Sequence, residues 1–435
     1  MNWFFTHTPL SYFVQSFWRD EAFSYLLAKK PLTQILAFST HDFSPPFYFF
    51  FLHFWIKFFG SSEVALRSLS LLAFFATWYM FYLVLNEVLK IKGWKLWSLM
   101  ILFGANPLLN YYAFEARMYT LFAFFSLLST YFFLKKKSRA YLITTILGLY
   151  THYFMIFVVG VQFLSLFLTK LFHKQERFSW IKLMALCGLV FVPWLLYFLF
   201  THPFENRYWI TNPGLQSVLL LPGMLYTGYE ISFGFFDLEL LPVSLILLGV
   251  ILFTATLMKK SRMHHKELFL FFLLLTFLPT LVSIIISYAV PIFLPRYLIF
   301  GTIGILLLLA LFLEKVSVRV GSLILIILLF LTVVYNQLQI ANRIKEPINR
   351  VVREIKGLMK PGDVLYVTNE LNFHPAEYYL DENRVFIYGR GYEEIPQYVG
   401  KVLIPKEKVV SVLPFYPKKA FILNGDLTYT IQSQY

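Results

Sequence analysis

Asp20, Glu21 and Asp42 fall within residues 18–67 of a 435-residue chain in which only 14% of residues are charged. A carboxylate beside a bilayer is costly unless it meets water, a cation or a substrate. Two further stretches add complementary groups. FEARMYTL carries Glu115 and Arg117, and PIFLPRYLIF carries Arg296 and Tyr297. A carboxylate can take a proton from an acceptor hydroxyl, while arginines neutralise a departing phosphate. Carboxylates and isolated arginines at one membrane face therefore point to group transfer from a phosphate leaving group.

The elements that must position these residues are mostly membrane helices. Hydrophobic residues make up 58% of the chain and mean hydropathy is +0.64, more apolar surface than one globular core can hide. Ten spans are expected, at about 68–89, 96–112, 118–134, 139–151, 153–171, 180–200, 239–258, 267–288, 297–313 and 320–336. A tight turn at His152 separates the fourth from the fifth, and the two could equally form one kinked helix. The net charge of +14 gathers in short basic clusters between apolar runs. That pattern sets orientation by the positive-inside rule and argues against a nucleic-acid partner. The basic loops then lie in the cytoplasm, while residues 1–67, Ala113–Arg117, His152, 201–238, 289–296 and the tail face outward.

Three domains follow. Residues 1–67 form an outer acidic loop in which the aromatic run 47–59 lies along the interface. Residues 68–336 form the transmembrane helical domain, and 337–435 a small extracytoplasmic α/β domain. In that last part, 346–359 and 373–380 read as helices and 363–368, 384–388 and 419–424 as strands. The lone Cys187 excludes an intrachain disulfide.

The acidic Asp20-Glu21 pair, the block HDFSPPFYFFFLHFWIKFFGSSEVALR from His41 to Arg67, and FEARMYTL from Phe114 to Leu121 together resemble GT-C membrane glycosyltransferases. The likeness is to the group that holds protein O-mannosyltransferases and aminoarabinose transferases, the glycosyltransferase family 39-like or PMT-like enzymes. It implies a polytopic α-helical fold with an outward α/β tail, in the plasma or inner membrane. It also implies inverting transfer of a hexosyl or pentosyl group from a polyprenyl-phosphate sugar to a protein, lipid or glycan acceptor at the extracytoplasmic face. Asp20 matches the general base, with Glu21 beside it in the catalytic pair. Arg117, Arg296 and Tyr297 would bind the donor phosphate. Glu115, Asp42 and His152 are acceptor or metal contacts, with a divalent metal at Glu115 and Asp42. The resemblance implies a first helix before the acidic loop, and with only seventeen residues ahead of Trp18 the expectation is that this helix is lost or that the recorded start lies downstream of the true one.

Blander readings compete at each position. Asp42 before Ser44-Pro45 suits a turn. Glu115 and Arg117 can pair with each other, and Arg296 can anchor to head groups. Arg67 orders the loop or meets a lipid phosphate. His152 suits a hydrogen-bonded helix end, and His264-His265 sit in a solvated basic loop. A transporter or flippase of a lipid-linked sugar is the alternative function. It calls for ionisable groups at mid-span and matched broken helices.

Overall fold

The computed structural model describes residues 3–41, 44–202, 209–230 and 237–435. Asp42 lies outside them. Packing divides the chain into two units.

The first unit comprises residues 1–12, 70–196 and 210–343 and is helical. Six helices of the described residues are long and apolar enough to cross a membrane: Glu63–Val88, Lys174–Thr201, Glu239–Met258, Met263–Ser287, Pro295–Lys315 and Val318–Asn342. Ten spans are therefore not confirmed, because the other four expected runs form shorter helices. The run at 96–112 breaks into Gly93–Gly104 and Pro107–Ala113. The break lies in the sequence itself. Asn106 accepts from Leu109 N–H as a helix cap, and Pro107 occupies the first helical position, where its missing donor costs nothing. Tyr119–Leu134, Ser138–Leu149 and Met155–Leu168 are separate helices, so the turn at His152 joins two elements rather than kinking one.

These shorter helices are tied by a buried polar network. Tyr141 donates to Gln162 at 2.8 Å, Gln162 donates to Ser129 at 3.2 Å, and Ser129 meets Thr145 at 2.8 Å. In hydrocarbon each of these groups would otherwise lose its water partners, so the network fixes the packing. Ile299–Lys315 is buried along almost its whole length and serves as the hub of the unit. Val318–Asn342 and Lys174–Thr201 instead expose Ile326, Phe330, Leu189 and Phe200, the surface expected of helices that face lipid.

The second unit comprises residues 13–69, 197–209 and 344–435, so the acidic loop packs in one unit with the C-terminal sheet. The sheet has strands β1 (Val364–Val367), β2 (Val385–Tyr388), β3 (Val409–Val410), β4 (Ala420–Leu423) and β5 (Tyr429–Gln432), in the order β3-β2-β1-β4-β5. β1 runs parallel to β2 and β4, while β5 is antiparallel to β4. Alternation divides the strand residues between two faces. Leu365, Val367, Val385, Ile387, Phe421 and Leu423 join the buried core, and Tyr366 and Ile422 pack on the other side. The helix Ile348–Leu358 buries Ile348, Val352 and Ile355, spaced i, i+4, i+7, against that core and exposes its charged face.

The helix Phe373–Tyr379 carries the aromatic ring system that holds the Asp20 segment. Tyr378 stacks on Phe17 at 4.7 Å and meets Tyr25 edge-on at 5.1 Å. Tyr379 accepts from Phe17 N–H at 2.7 Å and donates to Glu63. The aromatic run forms a 13-residue helix, Phe47–Phe59, too short to cross a bilayer at 1.5 Å per residue. It buries Tyr48, Phe49 and Leu52 and exposes Phe54, Phe58 and Phe59.

Candidate active site

Asp20 and Glu21 occupy the first turn of the helix Arg19–Ala28, where the partial positive charge of the helix end favours carboxylates. Their surroundings differ sharply. The Asp20 side chain retains 15% exposure and pairs with Arg19 at 2.8 Å, and the Arg19 guanidinium lies 5.7 Å from the Tyr398 ring.

Glu21 is fully buried and gripped on both oxygens. Arg67 donates from Nε to Oε1 and from Nη2 to Oε2, each at 2.8 Å, and Lys345 Nζ reaches Oε2 at 2.7 Å. Burial alone would push the Glu21 carboxyl up, but Arg67 and Lys345 outweigh it and hold the group well below the usual carboxylate range. Arg67 also donates to the carbonyls of Phe13, Gln15 and Ser16. It therefore orders the loop, as one of its two sequence readings holds, and buried in this way it does not reach a lipid phosphate. The same geometry bears on Glu21. A fully buried carboxylate tied to two cations positions the turn next to Asp20 and has no surface from which to take an acceptor's proton.

In the helical unit the joint Phe114–Met118 places Glu115 and Arg117 between two helices, both nearly buried. Tyr111 OH donates to Glu115 Oε1 at 3.4 Å. Arg296 opens the Pro295–Lys315 helix and pairs with Glu230 at 2.9 Å, each side chain at most 3% exposed. Tyr112 OH donates to the other Glu230 oxygen at 3.2 Å.

Aromatic rings link the two arginines. The Arg296 guanidinium lies 5.8 Å from the Tyr119 ring and 5.7 Å from Tyr297, and that of Arg117 lies 6.0 Å from Tyr119. Tyr297 in turn is 5.2 Å from His152. His152 accepts from Phe154 N–H on Nδ1 at 3.2 Å and stacks on Phe122 at 4.6 Å, which bears out its reading as a hydrogen-bonded helix-end residue. Burial, then Arg117 and Arg296, push its imidazole down to about 3. It is neutral at pH 7, so the positive charge of this cluster resides on the arginines.

Arg117, Arg296, Tyr297 and His152, far apart in sequence, thus meet around Tyr119. Sequence reasoning missed Glu230 and Arg343. Arg343 is buried with its guanidinium 4.2 Å from the Tyr111 ring, and it donates to Gly228 O at 2.5 Å. A lone Glu in the apolar 217–230 stretch and an Arg directly after the last span were the available signals. Gly228 has φ +72° and caps the helix Leu221–Thr227, and a Cβ there would come 2.2 Å from Leu108. Only glycine makes this turn towards Glu230.

Among the described residues no group of three or more His, Cys, Asp or Glu side chains converges as a metal site. Asp42, one of the two expected ligands, lies outside those residues.

No protein-family model matches the chain, and no curated protein matches it. Solved structures do. The crystal structure of ArnT from Cupriavidus metallidurans in the apo state aligns with a TM-score of 0.60 at 12% identity, covering 94% of this chain and 88% of that one. The same protein bound to undecaprenyl phosphate aligns with a TM-score of 0.60 at 13% identity, covering 96% and 91%. The expectation of a mostly helical, membrane-spanning fold with a small C-terminal sheet domain therefore holds, and the chain is similar in fold to ArnT over nearly its whole length.

Proposed function

We propose that this chain is an integral-membrane glycosyltransferase that moves a sugar from a polyprenyl-phosphate donor to an acceptor at the extracytoplasmic face. The observation that carries this reading is the end-to-end likeness to ArnT, a protein also solved with undecaprenyl phosphate bound. The buried arginine cluster of the helical unit supports it, because cations held among aromatic rings suit a lipid-linked phosphate.

The reaction is a single displacement. An acceptor oxygen attacks the anomeric carbon, the bond from that carbon to the phosphate oxygen breaks, and polyprenyl phosphate leaves with the bonding electrons. The anomeric centre inverts. Asp20 takes the acceptor proton late, after attack has begun, so an ordinary carboxylate suffices. Arg117 and Arg296 stabilise the charge that develops on the departing phosphate, with Tyr297 beside them and Glu230 orienting Arg296. Glu115 and Asp42 are acceptor contacts. Glu21 and Arg67 keep Asp20 in register. Residues 1–67, 68–336 and 337–435 divide the work into the base-bearing loop, the donor-holding membrane domain and an outer domain for the acceptor.

The test uses purified protein in nanodiscs with a panel of radiolabelled polyprenyl-phosphate sugars. Release of polyprenyl phosphate by the wild type, and its loss in Asp20→Asn at unchanged expression and melting temperature, is the expected result. Equal release by Asp20→Asn refutes the base assignment. No release from any donor by folded wild-type protein refutes transfer and favours transport of the lipid-linked sugar.

A further inference from the structure

A cavity lies at the end of the helical unit away from the Tyr119 cluster. Tyr119–Leu134 runs from the aromatic cluster at Tyr119 for 16 residues, about 24 Å at 1.5 Å per residue, to its far end at Leu134. There the helix ends enclose a cavity of about 350 Å³. Leu134, Phe172 and Leu268 contribute an apolar lining, and Lys136, Lys170 and His264 a polar one.

Charge concentrates around this cavity. The loops 84–95, 135–139, 170–182, 259–267 and 314–319 hold seventeen Lys and Arg against four Glu, a net +13 of the chain's +14. The two acids beside the cavity are already engaged. Glu267, nearly buried, accepts from Lys170 N–H at 2.7 Å. Glu176 pairs with Lys136 at 2.7 Å and accepts from His173 N–H at 2.8 Å. Lys170 is exposed, and its ammonium enters no ion pair among the described residues. The cavity therefore presents a cation and an imidazole above hydrocarbon, within a surface that is basic on every side.

A soluble anion satisfies the cation but leaves the apolar lining wet, whereas a neutral lipid fills that lining and leaves the cation without a partner. An amphiphile with an anionic head meets both requirements. We propose that this cavity binds the phosphate head group of an anionic membrane phospholipid, with Lys170 as its cation and His264 as a hydrogen-bond partner. The site lies on the basic-loop side of the bundle, so it is distinct from the arginine cluster, and it does not depend on the glycosyltransferase reading. A lipid held there pins the ends of three helices, those finishing at Leu134 and Leu168 and that starting at Met263.

The test uses the full chain purified in an uncharged detergent, titrated with phosphatidylglycerol, with phosphatidylcholine of matched acyl chains, and with inorganic phosphate. Bound lipid is counted by native mass spectrometry, and thermal protection is followed in parallel. Phosphatidylglycerol is expected to bind and protect at about tenfold lower concentration than phosphatidylcholine, with inorganic phosphate giving no protection. The double variant Lys170→Glu, His264→Ala loses that preference. Both side chains are exposed, so the change removes no packing. Lys92→Glu, on an exposed lysine of the same face outside the cavity, retains it. The proposal is overturned by equal binding of the two lipids, by equal protection from inorganic phosphate, by an unchanged preference in the double variant, or by equal loss in Lys92→Glu.

Discussion

Replacing Arg67 by Met should unfold the Asp20 segment well before the rest of the protein changes. Arg67 is fully buried and directs its guanidinium nitrogens at both Glu21 oxygens and three backbone carbonyls, with the Phe17 ring 4.8 Å away. Met fills much of the volume but leaves the Glu21 charge buried beside Lys345. Removing one partner of a buried pair costs about 3–5 kcal/mol. Linkage gives a similar figure. The Glu21 carboxyl is held at about 2 rather than 4.5, which corresponds to about 3 kcal/mol of stability at neutral pH. Because the folded-state value is depressed, this contribution is fully present above pH 4.5 and is lost as pH falls towards 2. The assay is thermal unfolding of the purified protein in detergent, followed by size-exclusion of the heated sample. Arg67→Met should melt on the order of 10 °C lower at pH 7, and its acid sensitivity between pH 4.5 and 2 should flatten. The double variant Glu21→Gln, Arg67→Met should recover part of the loss, since the fully buried carboxylate is then neutral, and only part, because the Lys345 ammonium, 7% exposed, loses its ion pair with Glu21. Melting of Arg67→Met within about 2 °C of wild type would refute the reasoning.

Other outcomes follow from the arginine cluster. Arg296→Lys keeps the charge but loses the planar fork, so donor KM should rise at least about tenfold while the protein stays folded; an unchanged KM would remove Arg296 from the donor site. His152 is held neutral in the folded state at about 3, so the unfolded chain takes up its proton first and stability falls as pH drops below about 6.5. His152→Gln should flatten that part of the melting profile, and an identical slope in the variant would refute it. Gly228→Ala should cost about 2 kcal/mol or more, from the left-handed backbone together with the 2.2 Å approach to Leu108. A lowered melting temperature checks this, and donor binding should weaken with it because Glu230 moves.

Much of the fold was legible because hydrocarbon imposes simple rules on sequence. Each of the ten apolar runs is helical, but length alone could not tell a full crossing from a shorter helix held inside the bundle. The Asn106-Pro107 break was readable as a cap and a first-turn proline, yet apolar continuity on both sides masks it. The strands at 364–367, 385–388 and 420–423 fall within the stretches expected from alternation. β3, only two residues long, and β5, largely exposed, carry too weak a pattern to be seen in this way.

The candidate site divides along the same line. Residue type and sequence neighbourhood singled out Asp20, Glu21, Arg117, Arg296, Tyr297 and His152, since charged and polar groups stand out against an apolar background. What each group pairs with depended on contacts between residues far apart in the chain. Asp20 and Glu21 are adjacent and look equivalent in sequence. In the fold one is partly open beside Arg19, and the other is buried against Arg67 and Lys345, 46 and 324 residues away. Glu230 gains its meaning only from Arg296, 66 residues on. The sequence by itself determined a membrane helical protein with charged groups gathered between its spans, because the transfer of apolar surface is additive along a chain. Only the tertiary structure decided which charges are exposed and which are locked in pairs, because burial and electrostatic pairing depend on distance in space.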